Sequence, residues 1–309
     1  MPDPAIETVR FPSGSSELIG RLFLPPNAQP NAQRPPAAIV TGAWMTVKEQ
    51  MPERYAREMA ARGIAALTFD FTGWGESEGG RRQFEDPEAK IDDIRAAATF
   101  LTARDDVDPN AIGGLGVCAS SGYMIHAATG TDAIRSVALV APWLHDAGIV
   151  RDIYGGGRAV EGLLAKGDEA ERLYEETGEQ RFVPAASMDD ERAIMFEAPY
   201  YTEPDRGMIP QWRNEADPAF WRGWLTFDAI EIADRFTKPF LMVESTAAAA
   251  PAGARAFYER LTANPHDAFA REVWIEGASQ FDFYDRDGPV HRAANEVAQH
   301  FKDTLNVKC

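Results

Sequence analysis

Groups that carry protons near neutrality are scarce in this chain: five histidines and two cysteines in 309 residues. The cysteines, Cys118 and Cys309, are too few for a disulfide framework. With an opening, Met1-Pro2-Asp3, unlike that of a signal peptide, a reducing cytoplasm is the expected location. His126, His145, His266, His291 and His300 are scattered and there is no cysteine pair, so the spacing that grips a metal is missing. Neither a metal nor another cofactor is expected. No apolar run approaches the roughly 18 residues that a membrane span requires. Positive charge is short as well: 31 Lys and Arg face 48 Asp and Glu, and a net charge of -17 makes nucleic acid and anionic membrane poor partners. Repeats and low-complexity tracts are absent. The expected partner is a small molecule, and a homodimer is an arrangement the sequence leaves open.

What the chain does contain is alternation. Hydrophobic residues make up 45% of it, enough for one large α/β domain with an insertion or for two smaller domains. Strand-like runs at 6–11 and 17–23, joined by Pro12-Ser13-Gly14-Ser15, predict a hairpin. Short apolar strands follow at 37–40, 64–70, 111–115 and 134–142, separated by helical patterns at 48–62 and 86–101 and after the strand at 111–115. From about 148 to 236 the rhythm breaks into Gly, Pro, aromatic and charged residues with helical patches. It resumes with strands at 239–245 and 271–276 and helices at 251–261 and 290–305. Such alternation predicts a mostly parallel sheet with helices on both faces.

The stretch that organises the chain is Leu115-Gly116-Val117-Cys118-Ala119-Ser120-Ser121-Gly122. A buried strand turns sharply into a helix here, with small residues flanking one thiol, as a nucleophile elbow requires. The turn aims the Ala119 N–H and the positive end of the new helix at Cys118, where both would stabilise negative charge. The plainer alternative is that Cys118 is a small buried hydrophobe at a strand end.

Eight strands, the first two a hairpin, with the elbow after the fifth and an insertion after the sixth, resemble the α/β-hydrolase superfamily. The resemblance narrows to its dienelactone-hydrolase-like branch, which includes fungal polyketide transferases. Matching words are Val47-Lys48-Glu49-Gln50, the loop from Phe69-Asp70 to Gly75-Glu76-Ser77, the elbow, and Gly277-Ala278-Ser279-Gln280-Phe281-Asp282-Phe283-Tyr284-Asp285. The resemblance implies a core of residues 1–147 and 237–309 and a helical lid at 148–236. It also places the nucleophile at Cys118 and the oxyanion donors at the backbone of Ala119 and of Ala43 or Trp44. Two triad positions depart from the pattern: Gln280 stands where relatives have histidine, and Thr246 where they have an acid. A glutamine amide cannot accept a proton at neutral pH, and a general base contributes about 10² to 10⁴-fold.

His145, after the sixth strand, and Glu244, ending the seventh, are the candidates for a relocated base; a hinge residue and a strand-end carboxylate are the plainer readings. The lid segment is rich in aromatic residues, which suggests a bulky, largely apolar substrate. Tyr200, Tyr201, Asp205, Arg206, Trp212, Trp221, Trp224 and, beside the oxyanion loop, Trp44 are the candidate binding residues. Some of these rings would instead build the lid's own core. Three functions stay in competition: a non-hydrolytic cyclisation, elimination or isomerisation of a polyketide-like intermediate; a Cys118-dependent acyl hydrolase or acyltransferase; and a ligand-binding protein without catalysis. The first is the favoured expectation.

Overall fold

A computed structural model describes residues 3–26, 34–263 and 269–305. Strands β1 (Ala5–Ser13) and β2 (Ser16–Leu24) form the hairpin, closed by Gly14 at φ 54°. Then come β3 (Ala37–Thr41), α1 (Met51–Ala61), β4 (Ala65–Phe69), α2 (Pro87–Thr102), β5 (Ile112–Val117), α3 (Ser120–Thr129) and β6 (Ser136–Val140). The stretch before the next long strand holds α4 (Ala147–Ile153), α5 (Gly157–Thr177), the two-residue strands β7 (Ala186–Ser187) and β8 (Met195–Phe196), α6 (Pro199–Thr202) and α7 (Trp221–Thr226). The chain closes with β9 (Phe240–Glu244), α8 (Pro251–Ala263), β10 (Ala270–Trp274), α9 (Asp282–Asp285) and α10 (Asp287–Thr304).

Eight strands make one sheet in the order β1-β2-β4-β3-β5-β6-β9-β10, and only β2 runs against the others. This is the α/β-hydrolase fold. Strands β3, β4, β5, β6 and β9 are buried at every position, as strands covered on both faces must be. The covering follows from β5 alone. Neighbouring strand residues point to opposite faces. A Cβ on Gly113 would meet the Phe301 ring of α10, and one on Gly114 would meet Met124 of α3. The two helices therefore lie on opposite sides.

The register aligns Thr41 with Gly116 and Val117 with Val140, so the loops after β3, β5 and β6 open at the same edge of the sheet. Ligands in open parallel sheets bind at that carboxyl edge. Helix α1 begins at Met51, not at Lys48 as the periodicity predicts. Two of the three preceding residues are claimed elsewhere: Asp70 accepts the Lys48 N–H at 2.8 Å, and the Gln50 side chain bridges Val47 N–H and Gly207 O. In the irregular stretch, α5 buries fully only Gly167, where it touches α7: a Cβ on Gly167 would lie 3.1 Å from Trp221. Among the described residues no helix is long and apolar enough to cross a membrane.

Candidate active site

Cys118 is the first residue after β5 and sits at φ 58°, a left-handed conformation that costs a non-glycine residue energy. Its backbone is fixed by donating to Val140 O at 3.1 Å and by accepting from Trp143 and Ser121. The chain can turn this sharply because Gly116 carries no side chain: a Cβ there would lie 2.8 Å from Ser121 Cα. The thiol is 5% exposed. The Tyr284 hydroxyl and the backbone N–H groups of Ala119 and Trp44 lie near its sulfur and favour the thiolate. Burial nevertheless outweighs them and pushes the thiol up to about 11.

Of the two candidates in the loop after β3, it is the Trp44 N–H that lies on the side of the Cys118 sulfur. The Ala43 N–H is turned away, donating to the Met51 sulfur at 3.5 Å. The loop that carries Trp44 is held from several sides. Lys48 is buried with its ammonium 2.6 Å from Asp70 and 2.6 Å from Glu76, so the words singled out in the sequence form one ion-paired staple. Burial opposes the charge of Lys48, yet Asp70 holds its pKa above the usual lysine value. Met45, at φ 58°, donates its N–H to Glu85 and accepts the Trp212 indole N–H at 2.7 Å.

Gln280 stands where the resemblance placed a base, and its amide is fully engaged. The nitrogen donates to Ala141 O at 2.9 Å and to the Tyr284 hydroxyl oxygen at 3.1 Å, while the oxygen accepts from Ala249 N–H at 3.0 Å. Thr246 is exposed and takes no part. Tyr284 was not a candidate from the sequence. Gln280 just precedes α9 and Tyr284 lies within it, four residues on, the helical spacing that brings two side chains together. That spacing, beside the elbow's partner loop, was the signal available.

The cavity at Cys118 measures about 300 Å³ and is lined by Trp44, Ala119, Tyr154, Tyr201, Trp224, Gln280, Tyr284 and further apolar residues. Besides the thiol and tyrosine hydroxyls it has no ionisable lining among the described residues. Other residues expected there lie elsewhere. His145 is buried, accepts the Trp143 indole N–H on Nδ1 and donates from Nε2 to Trp224 O, so it is neutral and tied to the wall; burial holds its pKa down. Glu244 is buried beneath the site with Oε1 on Ser245 N–H and no partner on Oε2 among the described residues. Burial raises it to about 8.

Asp205 and Arg206 do not pair: Asp205 faces solvent, and Arg206 reaches Asp285 at 2.5 Å and Phe281 O at 3.3 Å. Tyr200 stands behind Tyr284, ring centroids 5.1 Å apart. Trp221 packs edge-on against Trp44, which itself stacks on Trp224 at 4.7 Å. Trp212 lines a second, more open cleft of about 700 Å³, separated from the first by Tyr201, which lines both. His126 bonds Asp228 O, His291 reaches Glu58 and His300 bonds Ser136; His266 and Cys309 lie outside the described residues. Among the described residues no group of three or more His, Cys, Asp or Glu is placed to hold a metal ion.

Comparison with known proteins agrees with this architecture. A family described as serine aminopeptidase, S33, matches residues 45–167. The uncharacterised protein YcjY of Escherichia coli K12 is 27% identical over 92% of this chain and 93% of its own length. The thiohydrolase aneE of Aspergillus aculeatus is 37% identical over 41% of the chain, and the polyketide transferase claH of Penicillium crustosum 34% identical over 45%. These two alignments span only 38% and 45% of the fungal proteins. Among solved structures, the hypothetical protein PA2218 of Pseudomonas aeruginosa superimposes with a TM-score of 0.84 at 22% identity, covering 98% of this chain and 95% of that one. The α/β hydrolase GrgF of Penicillium sp. sh18 gives 0.81 at 19% identity, covering 98% and 99%. Strand order and these structural matches together show that the chain has the α/β-hydrolase fold.

Proposed function

We propose that this enzyme performs a non-hydrolytic step, an elimination, isomerisation or cyclisation, on a bulky polyketide-like intermediate. In this reading Cys118 sits at a nucleophile elbow, the N–H groups of Ala119 and Trp44 form an oxyanion hole, and residues 148–236 act as a cap over the core formed by 1–147 and 237–309. The observation that carries it is the cavity lining. Around Cys118 the lining offers amide, phenol, indole, thioether and hydrocarbon, and among the described residues no imidazole or carboxylate. Hydrolysis by covalent catalysis needs the nucleophile activated and a water deprotonated. With the thiol at about 11, about one molecule in ten thousand would carry a thiolate at pH 7. Carbonyl polarisation by two backbone N–H groups needs neither step. The apolar walls favour a substrate with few oxygens, and relatives named for polyketide transfer and thiohydrolysis make an acyl thioester the natural form.

The same names favour a second reading, acyl transfer through Cys118. One experiment separates the two. The protein is mixed with the N-acetylcysteamine thioester of a medium-chain 3-hydroxy acid, and both product and intact protein are weighed by mass spectrometry. The non-hydrolytic reading expects a rearranged or dehydrated thioester, no acyl adduct and no free acid above background. A stoichiometric adduct on Cys118 with rapid thiol release would replace it by acyl transfer.

A further inference from the structure

We propose that Tyr284 is a catalytic residue that passes a proton between the Cys118 thiol and the substrate, and that Gln280 is the positioning residue that sets the direction of its hydroxyl. The chemistry rests on the non-hydrolytic reading above; the geometry stands independently of it.

Ala249 offers an N–H and Ala141 a carbonyl, so the amide of Gln280 has a single satisfied orientation, oxygen toward Ala249 and nitrogen toward Ala141. Reversing it would set oxygen against oxygen and N–H against N–H, leaving buried groups unpaired. The second N–H of Gln280 therefore falls on the Tyr284 oxygen. A phenol oxygen has two lone pairs and one hydrogen. Gln280 occupies one lone pair, which leaves the hydrogen to the cavity that Tyr284 and Cys118 both line. The remaining lone pair stays free to receive the thiol proton. Tyr284 is 2% exposed and is clamped by Tyr200 and Phe281, with ring centroids at 5.1 and 5.7 Å. A histidine at 280 would act as a base itself, whereas a glutamine can only orient.

For loss of water from a 3-hydroxyacyl group the step balances without a co-reactant. The S–H proton moves to the Tyr284 oxygen while the Tyr284 O–H proton moves to the leaving hydroxyl. The C–O bond breaks with its electron pair on that oxygen, which departs as water. The C–H bond beside the carbonyl breaks, its pair becomes the C=C bond, and its proton returns to the sulfur. The carbonyl oxygen is held by the N–H groups of Ala119 and Trp44. Thiol and phenol both end as they began, which suits groups that burial keeps neutral.

The test uses the 3-hydroxyoctanoyl N-acetylcysteamine thioester and, independently of any substrate, iodoacetamide alkylation followed on the Cys118 peptide. Elimination is expected to slow about 10²-fold or more in Tyr284→Phe, mainly in kcat. Gln280→Glu is expected to lose activity where its carboxylate is ionised and to regain it as the pH falls and the carboxyl becomes a donor. Loss of the hydroxyl beside the thiol is expected to slow alkylation of Cys118 in Tyr284→Phe by about tenfold at mildly alkaline pH. Unchanged alkylation in a folded Tyr284→Phe would overturn the contact, and unchanged elimination would overturn the proton transfer. If wild type instead releases thiol and forms an adduct, the non-hydrolytic reading falls. The proton transfer then stands if Tyr284→Phe slows that release and falls if it does not. If wild type turns over nothing, the alkylation rates alone decide.

Discussion

A carboxyl group without polar surroundings keeps its proton, and Glu244 shows what that does to a fold. It has one backbone donor on Oε1 and none on Oε2, and burial raises it to about 8. In the unfolded chain the same group ionises near its ordinary value of 4.5. Between those two values the folded protein holds a proton that the unfolded chain gives up, so stability falls as the pH rises through this window. Glu244→Gln is expected to flatten that fall by a few kcal/mol, at roughly 1.4 kcal/mol per unit, read from urea unfolding at pH 5 and pH 8. A pH slope unchanged by the substitution would show that the carboxyl is not the group titrating. Sequence reasoning reached Cys118 because its neighbours have to be small. It could not reach Tyr284, one of eight tyrosines, nor know that Thr246 would be exposed. Which way a side chain faces depends on the packed loops around it.

Among the elements, the loop after β3 joins sequence to site most clearly. The pairing of Lys48 with Asp70 and Glu76, far apart in the chain, draws the β3 and β4 loops together and fixes the backbone that presents the Trp44 N–H. Removing one partner of a buried pair leaves a charge stranded, at a cost of about 3–5 kcal/mol. Lys48→Met should lose that much by urea unfolding; a loss near zero would mean that solvent reaches the pair. Across the cavity, α6 places Tyr201 between the small space at Cys118 and the larger cleft, its hydroxyl 3.4 Å from Trp44 O. Tyr201→Ala is expected to join the two and shift the preferred acyl chain upward in length, measured as kcat/KM over a thioester series. An unchanged preference would place the chain elsewhere. Strands and flanking helices were legible because periodicity is a local property. The start of α1 was not, since Asp70 and Gly207 decide it from a distance.

At the scale of the whole molecule, the mostly parallel eight-stranded sheet with helices on both faces was readable, while the interior of the stretch between β6 and β9 was not. Its rings pack mainly against one another and the β3 loop, as Trp44, Phe220, Trp221 and Trp224 do, and such packing has no period in sequence. The net charge of -17 acts on the molecule as one body. Self-repulsion should make the melting temperature rise from low to physiological ionic strength, and a flat response would mean that the local ion pairs already cancel it. The central claim is that a neutral thiol in an apolar cavity without imidazole or carboxylate does chemistry other than hydrolysis. Intact-mass spectrometry of the wild-type protein after mixing with an acyl N-acetylcysteamine thioester tests it most directly. The account predicts an unmodified protein mass alongside a rearranged or dehydrated thioester; an acyl group on Cys118 followed by release of free acid would contradict it.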